Sequence, residues 1–212
     1  MKRFSILLFA ASLLVSALSA QSNTRLFFSK SFPGSVPAYM QVTLDHEGQV
    51  EYREAPDEEL PLKFRMTSAE TAEVFTLVDK LERFKRPIES GLKVAFMGTK
   101  TFRLEGAAEK SEVQFNYSED ADAKALWEWC ERMTESAQHS IALDRAAKYD
   151  KLGVVKALTL LGSAVERKRL VGLDQYLPTL DRIIKNESYM HTARARASEI
   201  AEYIRASVPP AQ

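Results

Sequence analysis

Apolar and polar positions alternate with a period of two in the first half of the chain. Residues 38–54 read AYMQVTLDHEGQVEYRE. Because Gly48 supplies the positive backbone angle that a tight turn commonly needs, this stretch predicts a β-hairpin that turns at Asp45–Gly48. The alternating apolar positions are Met40, Val42, Leu44, Val50 and Tyr52 in the hairpin, and Leu62, Phe64 and Met66 in a third strand after the acidic loop EAPDEELP.

The period then changes to that of a helix. Thr67 and Glu70 have the spacing of a capping box, in which each side chain bonds the backbone of the other residue. We therefore predict a helix that begins near Ser68, packs an apolar stripe against a sheet and is ended by Pro87. The stripe consists of Val74, Phe75, Val78, Leu81 and Phe84.

Residues 93–117 again have the alternation of strands. The order is strands, one helix and then strands, and a single antiparallel sheet with the helix packed across it satisfies this order with short connections. The predicted strands carry Val94 and Phe96, then Phe102 and Leu104, then Val113, Phe115 and Tyr117.

Helical spacing dominates the rest of the chain. A long helix is expected to begin near Ala121, with a break at Asp150–Gly153 and three further helices after it. Pro178 predicts either a kink or a fresh helix start near Asp174, which would place the proline in a tolerated first turn. The fold class is thus α+β: a small antiparallel sheet with one packed helix, followed by a C-terminal helical bundle of about four helices. The stripes are Leu126, Cys130, Met133, Ala137 and Ile141; Val154, Leu158, Leu161 and Val165; Leu170, Leu173, Leu177, Leu180 and Ile184; and Ala193, Ala197, Ile200 and Ile204.

The chain begins with the layout of a secretory signal peptide: Lys2 and Arg3, an apolar run, and small residues at Ser19 and Ala20. The run is shorter than the roughly 20 residues that cross a bilayer as a helix. We expect cleavage after Ala20 or Ser19, and an exported periplasmic or secreted protein without a membrane span. The predicted organisation is a signal peptide at 1–20, a sheet-plus-helix domain at 21–120, a helical domain at 121–206 and a frayed tail at 207–212.

The charge of the chain limits which partners are expected, and its cysteine content limits how the fold can be stabilised. The chain has 29 basic and 29 acidic residues, and loss of Lys2 and Arg3 leaves a net charge of minus 2. Nucleic acid is therefore not an expected partner. The single cysteine, Cys130, cannot form an intramolecular disulfide, and its place between apolar positions at helical spacing predicts a buried, inert thiol.

The stretch GLKVAFMGTKT, residues 91–101, has some features of a phosphate-binding loop. In that motif four residues separate the glycines, the lysine follows directly, and a helix begins there. Here six residues separate the glycines, Thr99 precedes Lys100, and the strand-like TFRLEG follows. We instead predict a turn or bulge at Gly98 between two strands, with Lys100 exposed and with Phe96 and Phe102 in the core.

No catalytic, cofactor-binding or metal-ligating residue is predicted, and no cofactor. Each candidate has a plainer interpretation as a solvated or packed side chain, because none has the spacing that its chemistry requires. The candidates are the scattered His46, His139 and His191; Ser140 with His139 and Asp144 on one helix; Glu51 with Glu54; Glu128 with Glu131; Asp57 with Glu58 and Glu59; and Trp127 with Trp129, which point to different sides.

Residues 174–204 resemble a single helical hairpin of the HEAT-repeat type. The resemblance implies helix stacking and contact with a protein, and it carries no catalytic residue. As a whole, the chain resembles exported, uncharacterised proteins of environmental bacteria, which implies no activity. The matching features are Leu177, Pro178, Leu180 and Ile184 in the first helix and Ala193, Arg194, Ala197 and Ile200 in the second.

The leading functional hypothesis is an exported, non-enzymatic protein-interaction or assembly module of the cell envelope or extracellular space. The alternative is an exported hydrolase or cell-wall-acting enzyme whose residues converge only in the fold. A third hypothesis is an inhibitor or accessory subunit that uses an exposed sheet edge. An enzyme should have a deep pocket with convergent polar groups, whereas a binding module should expose an apolar patch or an open edge.

Overall fold

The computed structural model describes residues 24–106 and 111–207. The predicted signal peptide and all but the first residue of the predicted tail lie outside the described residues. The chain forms two compact units. The first contains the described residues up to Lys63 and Thr67–Glu128, and the second contains Phe64–Met66 and the chain from Trp129 onward.

A six-stranded sheet has the strand order β4-β3-β2-β1-β5-β6. Its neighbouring strands β1 and β2, β1 and β5, β2 and β3, and β5 and β6 pair antiparallel. Together with the helices, the sheet confirms the α+β class. The strands are β1 (Arg25–Ser31), β2 (Tyr39–Asp45), β3 (Gln49–Arg53), β4 (Leu62–Arg65), β5 (Thr99–Glu105) and β6 (Ser111–Phe115).

The predicted hairpin is confirmed as β2 and β3, and Gly48 has a φ of 82° in its turn. Strand β1, which lies between β2 and β5, is not among the predicted strands. One face of the sheet is apolar: Phe28 lies opposite both Val42 and Phe102. The buried side chains of this face are Leu26, Phe28, Val42, Leu44, Val50, Tyr52, Phe102 and Leu104.

Helix α1 (Ser68–Lys80) begins where the capping box places it. The N–H of Glu70 donates to Thr67 Oγ1, and the N–H of Thr67 donates to a carboxylate oxygen of Glu70. Every residue of the predicted stripe is buried. The predicted end at Pro87 is wrong, since the α-helix stops at Lys80.

A turn of left-handed backbone follows α1. Glu82, Arg83 and Phe84 have φ values of 53°, 54° and 63°, each of which costs about 1–2 kcal/mol outside glycine. Two contacts hold the turn: the Phe84 ring stacks on Phe102 at 5.5 Å between ring centres, and the Ser111 hydroxyl donates to the Arg83 carbonyl oxygen at 2.5 Å. Burial of the Phe84 ring thus selects a conformation that the local sequence disfavours.

Four α-helices are described in the predicted helical part, and three of the predicted stripes lie on their helices. Of the third stripe, Leu177, Leu180 and Ile184 lie on a helix, whereas Leu170 and Leu173 precede it. At the predicted break between the first two of these helices, the backbone N–H of Gly153 donates to Asp150 Oδ1 at 2.9 Å. Pro178 lies in the first turn of its helix, after a 3₁₀ turn at Leu173–Tyr176, which confirms the fresh start near Asp174. The helices are α2 (Ala121–Tyr149), α3 (Val154–Glu166), α4 (Leu177–Lys185) and α5 (His191–Ser207).

The second unit has a core of its own. Helix α5 packs against both α3 and α4. Among the residues that the structure describes, no helix is both long and apolar enough to cross a membrane. The fully buried members of this core are Val154, Leu158, Leu161, Leu180, Ile183, Ala193, Ala197, Ala201 and Ile204.

The end of α3 has a residue in a conformation that favours glycine. Lys168 has a φ of 55°, and its N–H donates to the Val165 carbonyl oxygen. The N–H of Arg169 donates to the Ala164 carbonyl oxygen. This pair of bonds is a Schellman motif, whose left-handed position is usually a glycine.

We predict that Lys168→Gly raises the free energy of unfolding by about 0.5–1 kcal/mol, because it relieves the left-handed strain. The matched control is Lys168→Ala, which removes the same exposed charge and keeps the strain. Urea unfolding of both variants measures the difference. Equal stability of the two variants would show that strain is not the cause.

Candidate functional site: an exposed apolar loop

Residues 91–97, here called the apolar loop, connect the left-handed turn region to β5 without regular structure. Four large apolar side chains in this loop face solvent: Leu92 is 51% exposed, Val94 40%, Phe96 57% and Met97 49%. The predicted strand at Val94 and Phe96 is therefore wrong, and so is the prediction that Phe96 lies in the core. Phe102, the other predicted core residue, is fully buried.

Both ends of the apolar loop are fixed in the fold. Ile88, before the loop, is 4% exposed, and Gly98, after it, is buried. Gly98 has a φ of 94°, and a Cβ there would lie 2.9 Å from Phe32 Cβ and 3.0 Å from the Ser31 carbonyl oxygen. The close approach to β1 and the positive φ both require glycine at this position.

The Asn116 side chain holds the middle of the loop. The backbone N–H of Met97 donates to Asn116 Oδ1 at 2.7 Å, and Asn116 Nδ2 donates to the Ala95 carbonyl oxygen at 3.1 Å. The two bonds bracket Phe96 from either side. An exposed apolar residue on a loop of defined shape loses less entropy on docking than one on a free loop.

Asn116 is itself held by the chain that precedes the loop. Its backbone N–H donates to Glu89 Oε2 at 2.5 Å, and the N–H of Ser90 donates to the Tyr117 carbonyl oxygen at 2.9 Å. The backbone N–H of Asn116 lowers the pKa of the Glu89 carboxyl below its usual value, so this acceptor stays charged. The chain on both sides of the loop is therefore tied to the end of β6.

The connection between β1 and β2, residues 32–38, lies beside the apolar loop. The Phe32 and Phe96 rings meet edge to face at 6.0 Å between ring centres. Val36, further along this connection, is 100% exposed. The N–H of Phe32 donates to the Ala38 carbonyl oxygen at 2.8 Å, which closes the connection into a compact turn. Two neighbouring loops thus expose apolar side chains at one end of the sheet.

Three lysines and one carboxylate lie near these loops. Residues 30–38 and 90–100 contain the three lysines, and Glu89, directly before residue 90, has the carboxylate. Lys93 is exposed within the apolar loop. Lys100 is on β5 but fully buried, so the prediction that it is exposed is wrong. Its Nζ donates to the Asn116 carbonyl oxygen at 2.5 Å and lies 3.9 Å from the centre of the Trp127 ring, which also has Lys30 Nζ at 5.4 Å.

The geometry of the loop is not that of a phosphate-binding loop. Strand β5 begins at Thr99, directly after Gly98. A phosphate loop would place the N-terminus of a helix there, with its free N–H groups aimed at the anion. The side chain of Lys100 bonds to a backbone carbonyl instead of reaching out of the loop.

None of the three histidines belongs to the apolar loop. His46 is exposed in the predicted turn, as expected, and one face of its ring stacks on the Phe75 ring at 3.6 Å between ring centres. His139 is half-buried, with Nε2 3.7 Å from Glu135 Oε1, and His191 is the exposed first residue of α5. Within residues 24–106 and 111–207, no three histidine, cysteine or carboxylate side chains lie together as a metal site would need.

The stacking of His46 on Phe75 predicts a pH effect. Partial desolvation of the exposed His46 side chain lowers its pKa below the usual value, and Arg83 lowers it further. The unfolded chain therefore binds the proton at a higher pH, and the free energy of unfolding should fall as pH drops below about 6.5 towards the pKa of the folded state. Urea unfolding over this range should show a weaker pH dependence for His46→Gln than for the wild type. An unchanged dependence would contradict this assignment.

The serine, histidine and aspartate of α2 do not form a catalytic triad. Asp144, which would have to orient His139, instead accepts hydrogen bonds from the Thr179 hydroxyl at 2.5 Å and from Arg182 at 3.2 Å. The contact of His139 is with Glu135. A triad needs nucleophile, base and orienting carboxylate in one chain of hydrogen bonds.

The carboxylate pairs likewise lack the arrangement of an acid and a base. Glu128 and Glu131 are both exposed. Glu51 lies on the polar face of the sheet in a cavity of about 420 Å³, with Arg53 and the acidic loop around it. Lys63, at 2.8 Å, holds the pKa of Glu51 below its usual value, whereas a general acid needs a raised pKa.

The remaining singled-out residues have packing roles. The prediction that the two tryptophans point to different sides is confirmed: Trp127 contacts Phe115 and Lys100, and Trp129 stacks under the Arg132 guanidinium at 4.2 Å. Cys130 is buried, as predicted, and burial raises the pKa of its thiol. Burial and the raised pKa both disfavour the thiolate that a nucleophilic cysteine needs.

The apolar loop is not among the predicted sites, although a signal for it exists in the sequence. Its four large apolar residues stand between Gly91 and Gly98, and in a strand such flanking glycines mark a break in pairing. Asn116, which fixes the loop, lies 19 residues from Met97, and no local sequence pattern identifies it as a partner of the loop.

No protein-family model matches the chain, and none of the curated proteins is significantly similar to it. The class that the structure defines is an α+β protein with an antiparallel sheet, a helical part and an exposed apolar loop at one end of the sheet.

Proposed function

We propose that the protein is an exported, non-enzymatic interaction or assembly module of the cell envelope or extracellular space, and that the apolar loop is its docking element. The observation that carries this proposal is the fixed, solvent-exposed row of Leu92, Val94, Phe96 and Met97. Large apolar side chains grouped on a surface mark sites of interaction with other macromolecules.

The defined shape of the loop supports a docking role, because its apolar side chains are held in place rather than exposed on a flexible chain. Asn116 bonds the backbone on both sides of Phe96, and Glu89 in turn bonds the backbone of Asn116. These bonds hold apolar side chains in water, where they gain nothing for folding. A partner that covers them would gain from their burial.

The hydrolase alternative draws less support from the same structure. The carboxylate in the charged cavity, Glu51, is paired with Lys63 and Arg53 and is held in its ionised form. Hydrolysis by two carboxylates would need one of them kept protonated near neutral pH.

The direct test is photo-crosslinking of the full chain in the envelope fraction of the cells that produce it. A benzophenone side chain at position 96 should form covalent adducts on illumination. Tyr149 provides the matched control, since it is also aromatic and is 83% exposed on a helix. Adducts from position 96 and none from position 149 support the proposal, whereas no adduct from position 96, or the same adducts from both, would sink it.

A further inference from the structure

The apolar end of the sheet consists of the apolar loop together with Phe32 and Val36 of the β1–β2 connection. The two loops are in contact through the Phe32 and Phe96 rings, and Gly98 brings the base of the apolar loop against β1. Val36 has its whole side chain in solvent. The apolar end therefore presents exposed apolar side chains from two adjoining connections.

The register of the sheet separates this end from the carboxylates at the other. Ser31 of β1 lies opposite Tyr39 and Thr99, at the end of the sheet that has the β1–β2 connection and the apolar loop. Arg25, at the other end of β1, lies opposite Asp45 and Glu105. The seven residues of β1 place these ends about 20 Å apart. That distance is about two Debye lengths at physiological ionic strength, so the carboxylates at the far end do not cancel the charge near the loops.

The exposed or partly exposed charges at this end are two lysines and one carboxylate. Lys30 and Lys93 lie on the two connections, and Glu89 lies directly before the apolar loop, where it bonds the backbone of Asn116. Lys100 is fully buried and does not reach solvent. Lys93 stands between the exposed Leu92 and Val94. A lysine in this place can bury its stem beside apolar neighbours while its ammonium group stays at a polar boundary.

We propose that the apolar end docks on an anionic lipid surface. This inference rests on the proposed function, since both require the apolar loop as the docking element, and it names the partner. Phe96, Leu92, Met97 and Val36 enter the boundary between headgroups and acyl chains, and Lys93 meets the lipid phosphates. Projecting apolar side chains with a basic neighbour need no complementary pocket in a lipid interface, whereas a protein partner would have to supply one for each.

The test is sedimentation of the mature full chain with vesicles of phosphatidylcholine mixed with phosphatidylglycerol, and with vesicles of phosphatidylcholine alone. The protein should sediment with the mixed vesicles, should bind the neutral ones more weakly, and should dissociate as salt is raised. Phe96→Asp and Val36→Asp should each weaken binding to the mixed vesicles at least about tenfold. Lys93→Gln should weaken it about fivefold.

Two controls separate docking from folding. Phe96 and Val36 are exposed, so their aspartate variants should keep the circular dichroism spectrum and thermal midpoint of the wild type. Tyr149→Asp, the exposed aromatic on a helix, should bind vesicles as the wild type does. Loss of binding in a variant that has also lost its fold would not count, and the second aspartate variant then decides.

Three results would overturn the proposal: no sedimentation with the mixed vesicles, binding by Phe96→Asp as tight as that of the wild type, or equal binding to neutral and anionic vesicles. A protein adduct from the benzophenone at position 96, combined with no vesicle binding, would assign the loop to a protein partner and leave the proposed function standing. No adduct and no vesicle binding would remove both.

Discussion

Replacement of Phe102 by alanine should lower the free energy of unfolding by about 3–5 kcal/mol. The Phe102 side chain is fully buried, and its ring centre lies 5.6 Å from that of Phe28, 5.5 Å from Phe84 and 5.1 Å from Phe115. The alanine variant loses the burial of the ring and leaves a cavity that three rigid neighbours cannot fill. Urea unfolding followed by circular dichroism measures the change.

The matched control for this prediction is Phe96→Ala. The Phe96 side chain is more than half exposed and has one aromatic neighbour, Phe32. Its truncation should change the free energy of unfolding by less than about 1 kcal/mol. Similar losses for the two variants would mean that Phe96 is packed in the folded protein, which would remove the basis of the proposed docking element.

Replacement of Gly98 by alanine should cost about 3 kcal/mol, from a backbone conformation that alanine disfavours and a clash with β1. The new Cβ would meet Phe32 Cβ at 2.9 Å and the Ser31 carbonyl oxygen at 3.0 Å. Neither atom is at the end of a flexible side chain, so β1 or the apolar loop would have to shift. Chemical denaturation gives the stability, and the benzophenone at position 96 in the same variant reports whether docking is also lost.

Gly91 is the control that separates strain from clash. It has a φ of 69°, but a Cβ there would meet nothing within 4 Å. Gly91→Ala should therefore cost only the backbone strain, about 1 kcal/mol. If both glycine variants lost the same stability, the contact between Gly98 and β1 would have no energetic weight.

Much of the helical structure was predictable because its determinants are local. The capping box at Thr67 and Glu70 fixes the start of α1 through bonds between residues three apart. Pro178 can lie only where no helical N–H is needed, so it marks a first turn. Both features act within one or two turns, and a sequence shows them directly.

The central strand β1 and the left-handed turn were not predictable in the same way. Strand β1 has buried residues at three successive positions, including Phe27 under the Arg103 guanidinium at 3.7 Å, which obscures its alternation. The turn at Arg83 is held by the contacts of Phe84 and Ser111, and Ser111 is 28 residues away. Contacts over such distances override local preference and leave no local pattern.

The docking element shows the same division. Its apolar residues are plain in the sequence, but GLKVAFM reads equally well as a buried strand. Whether Phe96 lies inside or outside depends on whether another element covers it, and Asn116 instead fixes the loop with its apolar side chains in water. Likewise, Lys100 is buried because its ammonium group donates to the Asn116 carbonyl oxygen and makes a cation–π contact with the Trp127 ring. Neither partner can be located from the lysine.

The sequence by itself therefore determined the α+β class, the hairpin, the starts of α1 and α4, and most of the residues on the buried faces of the helices. These follow from periodicity, capping and the backbone limits of proline and glycine, which act over a few residues. Only the tertiary structure decided that β1 is central, that Lys100 is buried and that Phe96 is exposed. Each of these depends on which distant side chain arrives to cover or pair with the residue, and the fold alone sets that.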